Sequence, residues 1–187
     1  MDQPSGPVPH LVIGGGKEGN LFLLNRDNMG KFKKFNTTNQ VVQTLAFGQS
    51  IFATAAFWNN SLYLAGVSGH LKAYSFNTAT GMFNTSAASQ SPDSYGFPGA
   101  SPAVSSTGTA NGIVWAIDVT AYGTPCCSNG PAILHAYDAT NLASELWNSS
   151  QAAASRDKAG NSVKFSVPTI ANGKVYIGEI TVFGLLP

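Results

Sequence analysis

Charge is the scarcest property of this 187-residue chain: only 10% of residues are charged, with 10 Lys+Arg against 9 Asp+Glu and a formal net charge of +1. An average soluble domain carries about 25%. A chain so close to neutral lacks the clustered basic surface that neutralises phosphates, which argues against nucleic acid as a partner. Its one basic cluster, Lys31, Lys33 and Lys34, is short and interleaved with Phe32 and Phe35. Cysteine is nearly missing too. The two present, Cys126 and Cys127, are adjacent, so a framework of bridges is excluded. A bond between them would close a ring too small to remove much chain entropy. No apolar run approaches the ~18 residues of a membrane span, and the opening MDQPSGPVPH lacks the apolar segment of a signal peptide. Helical periodicity is also wanting, and only Gln151–Arg156 reads as a short helix candidate.

What is present is glycine (20), proline (10) and enough hydrophobic residues (43%) for a core. The aromatic content of 11% is too high for a disordered chain. The apolar residues recur in a pattern. LVIGG, LYLAG, VWAID and VYIGE begin at Leu11, Leu62, Val114 and Val175, an interval of roughly 50–60 residues. Asn59-Asn60-Ser61, Asn111-Gly112 and Asn172-Gly173 precede three of them, and such pairs favour hairpin turns because both turn positions need positive φ. A second stretch follows the first three: LFLLN from Leu21, LKAYSFN from Leu71 and ILHAYDA from Ile133. A third comes next, at KFKKF from Lys31, GMFNTS from Gly81 and ELWNSS from Glu145, and ATAAF, SPAVS and VPTIA lie ahead of the later units. Alternating or continuous apolar runs of this length are strand behaviour.

Each unit therefore reads as four short antiparallel strands. Four-stranded units at this spacing predict an all-β, incomplete β-propeller of about four blades in one domain over residues 1–187. The expected blades are 10–36 (partial), 51–90, 99–151 and 163–187 (partial). A blade buries its faces only against neighbours, and four are few for a closed ring of this type. The start within a blade predicts either a fragment of a longer chain or self-association of two copies into a ring of about eight.

Ala136-Tyr137-Asp138-Ala139-Thr140 leads to Trp147, and Ala73, Asn77, Thr80 and Gly81 form a weaker copy. These resemble the repeat of pyrroloquinoline-quinone-type (quinoprotein-like) propellers, Ala-x-Asp-x-x-Thr-Gly followed by Trp. This chain departs from it in having Asn141 after Thr140 and one extra residue before Trp147. The resemblance implies that Trp147 and Ala136 dock one blade on the next. GGGKEGNLFLLNRDNMGKF, VPTIANGKVYIG and the closing VFGLLP are similar to the C-terminal part of larger bacterial propeller proteins. That implies an extracytoplasmic (periplasmic or secreted) parent, but no activity.

Chemistry-bearing motifs are few. Gly14 to Gly19 fits GxGxxG, but a strand rather than a helix follows, so the dinucleotide reading fails and a hairpin turn remains. His10, His70 and His135 do not share a repeat position, and no metal site is expected from them. No GxSxG elbow occurs. Among the acids, Asp118 and Glu179 both close a second strand, so they are the candidate catalytic pair for an enzyme working in the channel; the competing reading is turn carboxylates. Cys126 and Cys127 are the candidate cofactor-binding residues. Quinoprotein alcohol dehydrogenases also set two adjacent cysteines beside their quinone, and under that alternative the chain would take pyrroloquinoline quinone with Ca²⁺. The leading expectation is instead a non-catalytic binding or scaffolding module with no cofactor. The alternative is a quinoprotein-like oxidoreductase or a hydrolase.

Overall fold

A computed structural model describes residues 1–3, 6–30, 40–123, 130–178 and 181–184. The fold is all-β and open: four antiparallel sheets follow one another along the chain and do not close into a barrel, consistent with an incomplete propeller-like architecture. The first sheet is β1 (Leu11–Gly15), β2 (Asn20–Asn25) and β3 (Val41–Ala46). The second is β4 (Ala56–Trp58), β5 (Ser61–Ala65) and β6 (Gly69–Asn77), whose outer side pairs with both β7 (Met82–Phe83) and β8 (Ser89–Tyr95). The third is β9 (Ala103–Thr107), β10 (Ala110–Asp118), β11 (Ile133–Asp138) and β12 (Glu145–Asn148). The fourth is β13 (Thr169–Ala171), β14 (Lys174–Ile177) and β15 (Thr181–Phe183).

Turn chemistry sets the hairpins. Asn59 and Asn60 both have positive φ (45° and 57°) between paired Trp58 and Ser61. Asn172 and Gly173 do the same (50° and 70°) between Ala171 and Lys174. This is the two-residue turn whose twist matches that of the strands. Asn111-Gly112 behaves differently. The hairpin turns at Gly108 (φ 62°), and Asn111 (φ 52°) lies where the β9–β10 register shifts. That bulge brings Gly112 so close to Trp58 that a Cβ would lie 2.5 Å from its ring.

Period-two alternation then gives each inner sheet two buried faces. From β5, Leu62 and Leu64 pack on Leu11, Leu21, Leu23 and Leu45 of the first sheet. Tyr63 and Ala65, between them in sequence, pack with Val114, Ala116 and Tyr137 of the third. From the third sheet, Ile117 and Leu134 meet Val175 and Ile177 of the fourth. Three apolar seams thus stack the sheets in chain order. Ala136 and Trp147 are cross-strand partners, and the Trp147 ring meets Phe183 of the fourth sheet edge-on at 5.5 Å. Trp147 therefore packs against the fourth sheet.

Two outer strands differ from the sequence reading. KFKKF falls on residues outside the described set, and the strand that pairs with β2 is β3, beyond the expected edge at residue 36. In the second sheet GMFNTS supplies only the two residues of β7. The Gln43 side-chain amide explains the diversion: it donates to the Phe83 carbonyl (2.7 Å) and accepts from the Phe83 N–H (2.8 Å), tying β7 to the first sheet. The long outer strand is β8, whose polar sequence SQSPDSY includes Pro92. An edge strand tolerates proline because one side needs no donor. Where the β6–β8 register shifts, the Ser91 hydroxyl accepts the Leu71 N–H at 3.0 Å. Ser149 does the same for Leu134 in the third sheet, also at 3.0 Å. The two buried serines mark β8, not β7, as the counterpart of β12. Gln151–Arg156 forms a single 3-10 turn, Ala153–Ser155, with Ala154 left-handed (φ 55°).

Candidate functional site

Two features stand out. The first is a polar network inside the seam between the second and third sheets. β11 alternates so that His135 and Tyr137 face the second sheet while Leu134 faces the fourth. The His135 ring stacks on Tyr137 (interplanar 3°, centroids 5.7 Å) and meets Tyr95 of β8 edge-on. Its Nδ1 donates to Glu145 Oε1 of β12 at 2.7 Å and lies 3.7 Å from Asp93 Oδ2 of β8. Asn148 Nδ2 donates to the same Glu145 oxygen at 3.0 Å. The Tyr137 hydroxyl donates to Asp93 Oδ2 at 3.2 Å and lies 2.9 Å from the Tyr95 hydroxyl.

Burial decides what these phenols can do. It pushes the Tyr95 hydroxyl well above the ordinary phenol range, and Tyr137, Asp118 and Asp93 add to the effect. Tyr137 is likewise raised, chiefly by burial; the bond from Tyr95 opposes this, and the Asp93 and Glu145 charges reinforce it. Both stay protonated at any ordinary pH, so they act as hydrogen-bond donors and not as bases. Asp93, His135 and Glu145 form the one group of three metal-ligating side chains that converges among the described residues.

The second feature is a row of aromatic side chains on the loops that enter the second, third and fourth sheets. Phe52 meets Phe97 edge-on at 5.1 Å, and Phe97 meets Phe165 at 6.1 Å. Lys164 Nζ stands 4.8 Å from the Phe97 centroid and 4.5 Å from that of Tyr122; Lys17 Nζ stands 5.5 Å from Phe52. Phe97, Tyr122 and Phe165 are exposed, Phe165 at 59%. Phe165 also holds a left-handed backbone, φ 64°. That conformation costs a bulky residue of order 1–3 kcal/mol, and such strain gathers at ligand-contacting positions.

The residues singled out from sequence fall as follows. Asp118 ends β10, where its Oδ1 accepts the Thr120 N–H at 2.7 Å, the geometry of a turn residue. Glu179, Cys126 and Cys127 lie outside the described residues. The three histidines stay apart. His10 pairs with Asp27 at 2.7 Å on the surface, and His70 donates from Nδ1 to the Asp93 carbonyl at 3.0 Å. His135 is the one that meets two acids, and it does so buried. Sequence reasoning missed that meeting because Asp93 belongs to β8, a strand without an apolar signature. Aligning Ser91 with Ser149 as the buried serine of each outer strand would have revealed it. No family model matches the chain, and a search of curated proteins finds no match either.

Proposed function

We propose that the chain is a non-catalytic binding and scaffolding module of the quinoprotein-like propeller type, with the aromatic row as its binding face. The observation that carries this reading is the strained, exposed Phe165 in line with Phe97 and Phe52. A surface that keeps three rings and two lysine ammoniums on loops of four successive sheets suits a flat, apolar ligand with negative charge. The rings supply stacking area, and the lysines supply charge at little desolvation cost. Asp118 supports the non-catalytic part, since its Oδ1 is engaged by the turn.

The same reading includes self-association of two copies. The first sheet turns Val12, Phe22 and Leu24 outward, and Val12 is 38% exposed. The fourth turns Tyr176 and Val182 outward, and Val182 is 43% exposed. Each face has the composition of a seam residue set, and among the described residues no further sheet packs on it. Placing the fourth sheet of one copy on the first of the other, twice, closes a ring with two-fold symmetry and leaves no open face.

The binding face is tested with 8-anilinonaphthalene-1-sulfonate, a flat aromatic anion. Saturable fluorescence enhancement is expected with the wild-type chain. Phe165→Ser, at an exposed position, is expected to weaken it by about tenfold, the worth of one stacked ring. Equal enhancement by wild type and Phe165→Ser, with the folded state of both checked by circular dichroism, would overturn the assignment of this face.

A further inference from the structure

We propose that Asp93, His135 and Glu145 form a zinc-class divalent metal site that clasps the second sheet to the third. The donors are one imidazole nitrogen and two carboxylate oxygens, His135 Nδ1, Asp93 Oδ2 and Glu145 Oε1, all within 4.8 Å of one another. Ligand atoms around a tetrahedral zinc lie about 3.3 Å apart, given bonds of ~2.0–2.1 Å. Here Nδ1 lies 2.7 Å from Oε1 and 3.7 Å from Oδ2. These two distances bracket the required one, and the two carboxylate oxygens lie within 4.8 Å of each other, so modest side-chain rotations bring the three donors to the ion.

Charge points the same way. Two carboxylates face one imidazole, and among the described residues no lysine or arginine pairs with Asp93 or Glu145. The trio is net negative whichever protonation state His135 adopts, and a divalent cation compensates it. On binding, the ion takes the place of the proton on Nδ1: an imidazolium releases that proton to solvent and becomes neutral, whereas a neutral ring keeps one proton by carrying it on Nε2 instead. Both carboxylates already have supporting donors, of the kind that orient metal ligands. Asn148 orients Glu145, Tyr137 orients Asp93, and the stacked Tyr137 ring fixes the imidazole plane. His135 is buried, whereas the Asp93 side chain is 44% exposed. That gives the ion a path from solvent and leaves the fourth position to water. A nitrogen with two oxygens favours zinc over the all-oxygen preference of magnesium and calcium.

The test is isothermal titration of the metal-stripped full chain with zinc chloride, followed by thermal melting. One zinc per chain is expected. The melting midpoint is expected to rise by about 5 °C or more at a hundredfold excess of zinc over its dissociation constant. Asp93→Asn, at a half-exposed carboxylate, folds normally and is expected to weaken binding by at least tenfold, and Glu145→Gln likewise. His10→Gln, at the surface pair with Asp27, leaves binding unchanged. Magnesium and calcium at the same concentrations produce no shift. The proposal is overturned if zinc gives neither heat nor a melting shift up to about 100 µM. It is equally overturned if Asp93→Asn binds as wild type does while a Cys126→Ser, Cys127→Ser double variant does not, or if magnesium matches zinc.

Discussion

Replacing Tyr137 by alanine is expected to cost about 3–5 kcal/mol of stability, the usual price of removing a buried aromatic ring. The side chain is fully buried in the seam between the second and third sheets, among Tyr63, Leu71, Val114 and Leu142. Both sheets present rigid strands there, so the space left behind cannot collapse. The ring is also the platform on which His135 stacks, and its hydroxyl joins Tyr95 to Asp93. Tyr137→Phe separates these roles. It keeps the ring and removes the donor, and is expected to cost about 1–3 kcal/mol, because the buried Tyr95 hydroxyl loses its partner. Urea unfolding followed by circular dichroism reads both, through midpoint shifts at constant slope. A loss below about 1 kcal/mol for Tyr137→Ala would mean that the second and third sheets do not pack through this residue.

Gly99→Ala is expected to be comparably damaging for a backbone reason. Gly99 has φ 89°, and a Cβ there would lie 2.4 Å from the Ala65 carbonyl oxygen and 3.1 Å from the Gly66 carbonyl carbon. Neither atom belongs to a side chain that can rotate away. Ala65 is at the end of β5, and the chain at Ala100 bridges directly to it. Relief of the clash therefore moves a buried strand. The left-handed backbone costs about 1–2 kcal/mol for any L residue, and forcing atoms into a packed interior adds roughly 1–3 kcal/mol. Gly108→Ala is the matched control. Gly108 also has positive φ (62°), but a Cβ there meets nothing within 4 Å. It should lose only the conformational part. Equal losses in the two variants, measured by thermal or urea unfolding, would refute the close approach of the two loops.

The parts of the fold legible in the sequence are those where a single local rule acts. Leu62-Tyr63-Leu64-Ala65 alternates between two seams, and a nearly continuous apolar run is what a strand buried on both faces requires. Asn59-Asn60 and Asn172-Gly173 mark turns that need positive φ, and both adopt it. The outer strands were hidden because their pairing is not carried by apolar residues. In β8 the Ser91 hydroxyl takes over a ladder position, and Pro92 stands at the register shift. In the first sheet, Val41–Ala46 carries Gln43 and Thr44 amid its apolar residues, and Gln43 binds backbone of the next sheet. The polar network was hidden for the same reason. His135 and Glu145 are visible as residues of adjacent strands, but Asp93 reaches them only through β8. Asp118 stood out because it closes a strand, and strand-closing aspartates are also the residues that make turns, as this one does with Thr120.

Sheets stacked in series, each burying one face on the next, leave the outer sides of the first and fourth uncovered among the described residues, and the proposed ring is what would cover them. The solution mass of the native chain, by size exclusion with light scattering, tests this most directly. The proposed ring predicts a single species of twice the chain mass of 19.5 kDa. A clean, soluble monomer of 19.5 kDa at micromolar concentration would contradict it, because Val12, Phe22, Leu24, Tyr176 and Val182 would then face water without a partner.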